Sequence, residues 1–438
     1  ADVSEAFLRG LTFEELAEAG EDRREVALEL PPGGETLLRM QPGYEDFNPE
    51  VEVLRLLRPG FGLKDAPRLW LLALRRALAE IGVTPTTIDP QTFVRHERGC
   101  LVLVLTVHVD DLKLCGEDKI VKIVIAKLED RFESMKVEKG NFTHLGLKHE
   151  TSADGMVTIS QEHYIRELRL IPEEELKLQP KEQLVGPDYH KYYMSLLGGV
   201  AWTTQTRMDI IVYVSALQRK LQSPVVEDLL KLNRLVRYIK QNPLKLVYHK
   251  ITGPLKLMAI TDSAYRGEDQ DHLAVRSGLI YISKKQSRVC RSTFTAELYS
   301  ALDMVGLGLN ICMMVNEITN GVQSAAHMAD KLECGKITEG LDVAIDADAV
   351  FRALAAKEVK TPTDAIMLIH ALKFKEWLKT GQVKSLMWID TRDMLADALN
   401  KSSIDRAALR TAAEEGIWKI EHAFKTHQEN KQAGDINF

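Results

Sequence analysis

Apolar residues recur three and four positions apart in several stretches of the chain, as they do on one face of a helix. This spacing predicts helices over residues 69–81, 120–132 and 224–240. The longest candidate for a membrane-spanning run, residues 101–107, is much shorter than the roughly 20 residues that cross a bilayer. We therefore expect a protein without a membrane-spanning segment.

The run at residues 101–107 contains only Leu, Val and Thr and predicts a strand that is buried on both faces. Residues 112–115 would return as the second arm of a hairpin. This arrangement places Asp110 and Asp111 at or near the tip of the hairpin.

The pattern changes after residue 255, where short β-type segments and turns replace the helical spacing. It predicts strands at residues 255–261, 277–283 and 287–292, followed by a helix over 295–309. Alternating helices and strands then continue to about residue 400, which indicates a mixed α/β sheet.

A chain of 438 residues is longer than one hydrophobic core usually organises, so two or three domains are expected. The pattern predicts an α+β protein that divides into four segments. These are residues 1–150, a basic helical segment at 151–250, the mixed α/β domain at 251–400 and a polar tail at 401–438.

The overall net charge of −6 argues against a uniformly basic protein, but the charge is unevenly distributed. Residues 207–256 contain ten Lys or Arg against three acids, which is about +7 locally. Within it Lys231, Arg234 and Arg237 share a predicted helix that could follow a phosphate backbone, or could be an ordinary solvated face. The five cysteines form no Cys-x-x-Cys pair, so a reducing compartment is expected.

The adjacent carboxylates of Asp110 and Asp111 repel each other at the end of an apolar strand unless a cation neutralises them. Oxygen ligands with few His or Cys nearby favour Mg²⁺ or Mn²⁺ over zinc, and a pair of such ions serves phosphoryl transfer. A solvated hairpin turn is the alternative for this pair taken alone.

A second group of acids lies at the predicted strand ends and helix starts of the α/β domain. It consists of Asp262, Glu297, Asp346 and Asp397. Four such acids could converge on two metal ions about 3.5–4 Å apart, as in nucleases. Asp348 competes with Asp346 for the third place, and the sequence leaves this choice open.

Several motifs in the first half resemble those of the reverse transcriptase of copia-type retrotransposons. They are residues 2–8 (DVSEAFL), 62–70 (GLKDAPRLW), 107–111 (VHVDD), 145–147 (LGL), 193–202, 206–210 and 235–240. The resemblance implies a palm and thumb without the fingers, with Asp2, Asp110 and Asp111 as catalytic metal ligands. It also implies that Phe7, Gly62 and Lys64 contact the nucleotide or template.

The second half resembles the ribonuclease H domain of the same elements. The matching segments are residues 261–267 (TDSAYRG), 283–286 (SKKQ), 292–298 (STFTAEL) and 396–401 (ADALNK). The resemblance implies that Asp262, Glu297, Asp346 and Asp397 bind two metal ions and cut the RNA strand of an RNA–DNA hybrid.

Taken as a whole, the resemblance implies a piece of a Pol polyprotein with two Mg²⁺ or Mn²⁺ ions in each active site. The implied partners are an RNA template, a DNA primer, an RNA–DNA hybrid and deoxynucleoside triphosphates, and the implied locations are a cytoplasmic virus-like particle and the nucleus, without secretion. Since the chain starts one residue before Asp2, we expect weak or absent polymerisation. A decayed remnant that only binds nucleic acid is the alternative.

Overall fold

The computed structural model describes residues 1–428 apart from 19, 21, 23, 134, 265–274, 279–281 and 286–289, and it describes only the backbone of 275–278 and 282–285. The chain divides into two compact units. Unit 1 is Ala1–Glu138 with Glu317–Gln323, and unit 2 is Lys139–Asn316 with the chain from Ser324 onward. The first predicted boundary, at residue 150, lies 12 residues beyond the observed one, and the predicted boundary at 250 falls inside unit 2.

Unit 1 is built on an antiparallel sheet with the strand order β4-β5-β6-β7-β1-β8, and β2 pairs with β3 separately. Its strands are β1 Asp2–Val3, β2 Val26–Leu28, β3 Leu54–Leu56, β4 Thr84–Pro85, β5 Thr92–Glu97, β6 Cys100–His108, β7 Asp111–Gly116 and β8 Met135–Lys136. Strands β6 and β7 form the predicted hairpin, with Val109 and Asp110 as its turn.

Unit 1 has four helices, of which α3 and α4 pack against this sheet. They are α1 Phe13–Glu18, α2 Gly34–Arg39, α3 Ala66–Ala79 and α4 Asp118–Phe132. The rings of Trp70 in α3 and Phe132 in α4 meet edge to face at 4.8 Å inside the core. The prediction that β6 is buried on both faces is wrong, because Val104 and Thr106 are only half-buried on its other face.

Unit 2 starts with a small antiparallel sheet, in the order β12-β11-β10-β9, and a group of helices. These elements are β9 Phe142–His144, β10 Leu147–Thr151, β11 Val157–Ser160, α5 Glu162–Glu167, α6 Pro187–Thr203, α7 Ile211–Gln218, α8 Val226–Gln241 and β12 Leu246–Tyr248. The predicted helix at 224–240 corresponds to α8, which packs its apolar face against α6 and α7.

The rest of unit 2 forms a six-stranded mixed sheet in the order β15-β14-β13-β16-β17-β18. Its elements are β13 Leu257–Ala264, β14 Val275–Gly278, β15 Ile282–Lys285, α9 Thr293–Asn320, α10 Ala325–Glu333, β16 Leu341–Ile345, α11 Asp348–Ala355, α12 Ile366–Thr380, β17 Val383–Ile389, α13 Asp397–Asn400, α14 Ala407–Glu415 and β18 Phe424–His427. Strands β13, β16 and β17 are parallel, and the other neighbours are antiparallel. Parallel strands end at a common edge, which is where two of the predicted acids fall.

Helix α9 is longer and more apolar than predicted. By length and composition it could cross a membrane, although 44% of its most apolar window is buried. Leu298, Ala301 and Val305 lie in the core of unit 2, so α9 packs as a core helix there. The premise that no segment is long and apolar enough to cross a bilayer is wrong, whereas the expectation of a protein without a membrane-spanning segment stays a prediction.

Residues 401–428, predicted as part of a polar tail, are folded. Helix α14 contributes Leu409 and Ala413 to a core cluster. Strand β18 pairs with β17, with Thr426 opposite Met387. Residues 429–438 of the predicted tail lie outside the described residues.

Candidate metal-binding active site

The four predicted nuclease acids lie on four different elements of unit 2. Asp262 is in β13, Glu297 is in the second turn of α9, Asp346 follows the last residue of β16, and Asp397 begins α13. Since β13 and β16 are adjacent and parallel, Asp262 and Asp346 leave the sheet at the same edge.

Three of these acids form a compact group. Ligand oxygens of Asp262, Glu297 and Asp346 all lie within 4.8 Å of one another. Asp262 is almost completely buried, and its Oδ1 accepts no hydrogen bond from any donor that the structure describes. Asp348 instead binds Lys425 and Arg352, at 3.2 and 2.6 Å, so the geometry favours Asp346 as the third acid.

Asp397 is close by but is not a member of that group of three. Its carboxylate forms an ion pair with the ammonium of Lys401, one helical turn later. The same ammonium lies 3.1 Å from Oδ2 of Asp262, and Asn400 donates a hydrogen bond of 2.8 Å to that oxygen. Oδ2 of Asp262 is thus occupied while Oδ1 is not.

Neighbouring residues hold the acids in place. The hydroxyl of Ser300, one turn after Glu297 in α9, donates to the carbonyl oxygen of Asp262 at 2.8 Å. Thr391 donates to Oδ2 of Asp346 at 3.0 Å, and the indole of Trp388 donates to the Asp346 carbonyl oxygen at 2.8 Å. The carboxylates are therefore oriented before any ligand binds.

Burial and mutual repulsion shift the pKa values of the acids apart. Burial first, and then the charges of Asp262 and Asp346, raise the pKa of Glu297 to about 10. Burial and the charge of Asp262 likewise raise the pKa of Asp397 to about 8. Burial alone would raise the pKa of Asp262, but Lys401 and the hydrogen bonds around it hold that pKa below its ordinary value. A cation added to this group would relieve the repulsion.

The donor set fits a hard divalent cation. It consists of carboxylate oxygens, and the described residues add no His or Cys to the group. Oxygen ligands of this kind select Mg²⁺ or Mn²⁺ over zinc. The buried Oδ1 of Asp262, which accepts from no donor in the described part of the chain, is an independent indication, because such an atom is costly unless a cation or water satisfies it.

The three predicted polymerase acids lie in unit 1, around the tip of the β6–β7 hairpin. Asp2 in β1 stands opposite Asp111 in β7, and the amide of Val3 donates to the Asp110 carbonyl oxygen at 3.2 Å. Asp2 and Asp110 are exposed and Asp111 is half-buried. Among the described residues these three do not form a group as tight as the one in unit 2.

Val109 occupies the turn between the two strands with a φ of 57°, which is strained for a β-branched residue. The indole of Trp70 donates a 2.5 Å hydrogen bond to the Val109 carbonyl oxygen. Trp70 thereby holds the turn that carries Asp110. It belongs to the matching segment at 62–70, although the sequence alone did not assign it this contact.

The predicted nucleotide-contacting residues of unit 1 are at its surface. The ring of Phe7 packs edge to face on Phe61, with 5.5 Å between ring centres. Gly62 has a φ of +91°, which favours glycine, and a Cβ there would meet nothing within 4 Å. Lys64 is exposed. Their contacts with a nucleotide stay predictions.

The three basic residues of α8 have different surroundings. Lys231 and Arg234 line a cavity of about 800 Å³, together with Tyr213 and Arg410. Arg234 also donates to Glu227 at 2.6 Å. Arg237 donates at 2.6 Å to Glu173, a largely buried acid, so its guanidinium already joins two parts of the fold.

Asn400 and Lys401 are the site residues that sequence reasoning missed. Both belong to the matching segment at 396–401, and they follow Asp397 by three and four residues, which places them on one face of a helical turn. That spacing was the available signal. The matching residues 265–267 and 286 lie outside the described residues.

Part of unit 1 and the beginning of unit 2 are similar to a known protein family. Residues 34–177 match the model of the reverse transcriptase (RNA-dependent DNA polymerase) family. The Retrovirus-related Pol polyprotein from transposon RE1 of Arabidopsis thaliana is 27% identical over 340 residues, which is 72% of this chain and 21% of that protein. The corresponding polyprotein from transposon RE2 is 26% identical over 345 residues, or 74% of this chain and 22% of that protein.

These matches confirm the resemblance to the Pol polyproteins of copia-type retrotransposons. The chain spans about a fifth of the length of these two curated relatives. The activities of those longer proteins therefore do not by themselves extend to this chain.

Proposed function

We propose that unit 2 hydrolyses the RNA strand of RNA–DNA hybrids as a metal-dependent ribonuclease H and that the chain as a whole derives from a reverse transcriptase. The observation that carries this proposal is the group formed by Asp262, Glu297 and Asp346, with its unpartnered buried oxygen. Carboxylates held together at the edge of a mixed sheet suit the binding of cations against a phosphodiester.

Asp262, Glu297 and Asp346 would hold the cation. A bound Mg²⁺ or Mn²⁺ supplies polarisation of the scissile phosphate and a more acidic water. The residues of the chain supply orientation, because Ser300 and Thr391 fix the backbone of Asp262 and the side chain of Asp346. They also supply negative charge that only a cation or a proton neutralises.

The test is cleavage of a labelled RNA–DNA hybrid by the full chain in Mg²⁺ or Mn²⁺. We expect cleavage of the RNA strand that EDTA stops and that Asp262→Asn abolishes. Asp348→Asn is the matched control, since Asp348 pairs with Lys425 and Arg352 outside the group, and it should retain cleavage. Absence of cleavage by the unmodified chain would contradict the proposal and favour a remnant that only binds nucleic acid.

RNA-directed DNA polymerisation by unit 1 is the second candidate function. The pairing of Asp2 with Asp111 across neighbouring strands favours it, because it brings two of the three predicted acids to one place. We expect primer extension on an RNA template to be weak relative to hybrid cleavage, since these exposed acids do not form an equally compact group. Any extension observed should disappear in Asp110→Asn, and extension that survives this change would exclude the proposed site.

A further inference from the structure

The acids of unit 2 already have a cation beside them, the ammonium of Lys401. It forms ion pairs with two of the four carboxylates, Asp262 and Asp397. A carboxylate that bridges two ions about 3.5–4 Å apart offers one oxygen to each of them. Asp262 cannot do this as it stands, because Lys401 and Asn400 both bind its Oδ2.

We infer that Lys401 occupies the second cation position of this site, so that the chain binds one divalent ion tightly and a second only after the ammonium leaves. The first ion would be held by Asp262, Glu297 and Asp346. Asp397 would join a second ion only once Lys401 releases it. This inference rests on the proposed metal-dependent nuclease and deepens it.

The position of Asp397, which lies beside Asp262 but outside the group of three, supports this assignment. The oxygens within 4.8 Å of one another belong to Asp262, Glu297 and Asp346, and Asp397 is not in that group. Asp397 is nearly fully buried, and among the described residues its carboxylate pairs with the ammonium of Lys401. The fourth acid is thus neutralised without a metal ion.

Lys401 also has the geometry of a group that can move aside. Its backbone is fixed, because its amide donates to Asp397 at 2.9 Å and Arg406 donates to its carbonyl oxygen at 2.9 Å. Its side chain is 30% exposed, while those of Asp262 and Asp397 are 1% and 2% exposed. The ammonium can therefore swing into solvent by rotation of the side chain alone.

The test counts divalent ions bound to the full chain by calorimetric titration with Mn²⁺ in the absence of nucleic acid. All proteins carry Asp110→Asn and Asp111→Asn, so that the acids at the hairpin tip of unit 1 do not contribute. We expect one tight ion for the otherwise unmodified protein. Lys401→Met should bind a second ion, with an affinity at least about tenfold higher than any second binding of the unmodified protein.

Four variants serve as controls. Lys401→Arg keeps the positive charge and should retain a single tight ion. Lys425→Met removes a lysine that pairs with Asp348 outside the group and should change nothing. Asp346→Asn should abolish the first ion, whereas Asp397→Asn should leave its affinity within about threefold.

A second measurement covers the event that Lys401→Met folds poorly. Ions bound to the folded protein alone raise its melting temperature by mass action. We expect Lys401→Gln to melt below the unmodified protein in EDTA and to gain more from Mn²⁺, because its four acids lack the ammonium. Comparison of Asp346→Asn with Asp397→Asn tests, without changing Lys401, whether Asp346 holds the first ion and Asp397 does not.

The possible results separate the two proposals. Two equally tight ions in the unmodified protein would overturn the role of Lys401, and so would a single ion of unchanged affinity in Lys401→Met. If hybrid cleavage is observed as well, the proposed nuclease stands without that role. Loss of the first ion in Asp397→Asn would overturn it as well. No bound ion in any of the proteins would overturn the metal centre and the proposed nuclease together.

Discussion

Arg207 and Asp209 form an ion pair that is completely buried in unit 2. The guanidinium makes two hydrogen bonds to the carboxylate, at 2.9 and 2.7 Å, and a third to the carbonyl oxygen of Ile239 at 3.0 Å. Tyr238 and Arg410 also donate to Asp209. The matching segment at 206–210 therefore has a structural role in joining α8 to the chain before α7.

We predict that Arg207→Met destabilises the protein by about 3 kcal/mol, because it leaves a buried carboxylate without its main partner. Denaturation in urea measures the loss in the free energy of unfolding. Arg166→Met is the matched control, since that arginine is 76% exposed and pairs with Glu162 one turn away. The control should lose no more than about 0.5 kcal/mol, and equal losses would contradict the prediction.

Glu173 is a second residue whose charge matters for stability. Burial alone would raise its pKa, but Lys177, Arg237 and Asn233 lower it from 4.5 to about 2. A depressed pKa means that the ionised form stabilises the folded state. This stabilisation is complete above pH 4.5 and is lost as the pH falls towards 2.

We predict that Glu173→Gln is less stable than the unmodified protein by about 2 kcal/mol near neutral pH, and that the difference shrinks towards zero as the pH falls to about 2. The measurement is the free energy of unfolding of both proteins as a function of pH. Because Arg237 donates to Glu173, the difference in the free energy of unfolding between Arg237→Met and the unmodified protein should also shrink as the pH falls. A difference that is independent of pH would exclude the carboxylate as its source.

At the scale of elements, α9 depends on close packing against the sheet. Gly306 and Gly308 lie two residues apart in this helix, on different faces. A Cβ at exposed Gly306 would meet nothing within 4 Å, whereas a Cβ at Gly308 would lie 2.8 Å from both terminal carbons of Leu341 in β16. Leu341 is buried in the core and has little room to shift.

We predict opposite effects for alanine at these two positions. Gly306→Ala should stabilise the protein by about 0.5–1 kcal/mol, because alanine favours the helix. Gly308→Ala should destabilise it by about 1–3 kcal/mol through overpacking against Leu341. Each variant is the control for the other in thermal unfolding, and stabilisation by both would show that α9 does not approach β16 as closely as described.

At the scale of the whole molecule, the two units differ in how their acids are arranged. The acids of unit 2 are largely buried, and three of them are grouped, whereas Asp2 and Asp110 of unit 1 are exposed. Buried carboxylates that repel each other gain more from a cation than solvated ones do. A divalent ion should therefore act first on unit 2.

We predict that Mn²⁺ slows amide hydrogen exchange in β13, the first turns of α9 and β16 at concentrations that leave β6 and β7 unchanged. Exchange followed by mass spectrometry of peptides from both units measures this difference, with Ca²⁺ as a comparison for a larger ion. Equal protection of both units at the same concentration would contradict it. Asp262→Asn should remove the effect in unit 2.

The spacing of apolar residues was enough to predict α3, α4, α8 and the β6–β7 hairpin, because within one helix or strand this spacing follows the local repeat of the backbone. Together with the resemblance, it selected four candidate acids of unit 2, each placed at a strand end or near the start of a helix. The length of α9 was underestimated, since its apolar residues alternate with Gly, Ser and Asn. The polar composition after Lys401 did not predict α14 and β18. The pairing of β18 depends on β17, which lies in a different part of the sequence.

The sequence by itself determined which residue types were available for chemistry and on which local elements they stand. Only the tertiary structure decided which of them meet. It grouped Asp346 rather than Asp348 with Asp262, and it placed Lys401 beside Asp262, 139 positions earlier in the chain. The physical reason is that such encounters depend on strand order and packing between distant segments, which no local periodicity encodes.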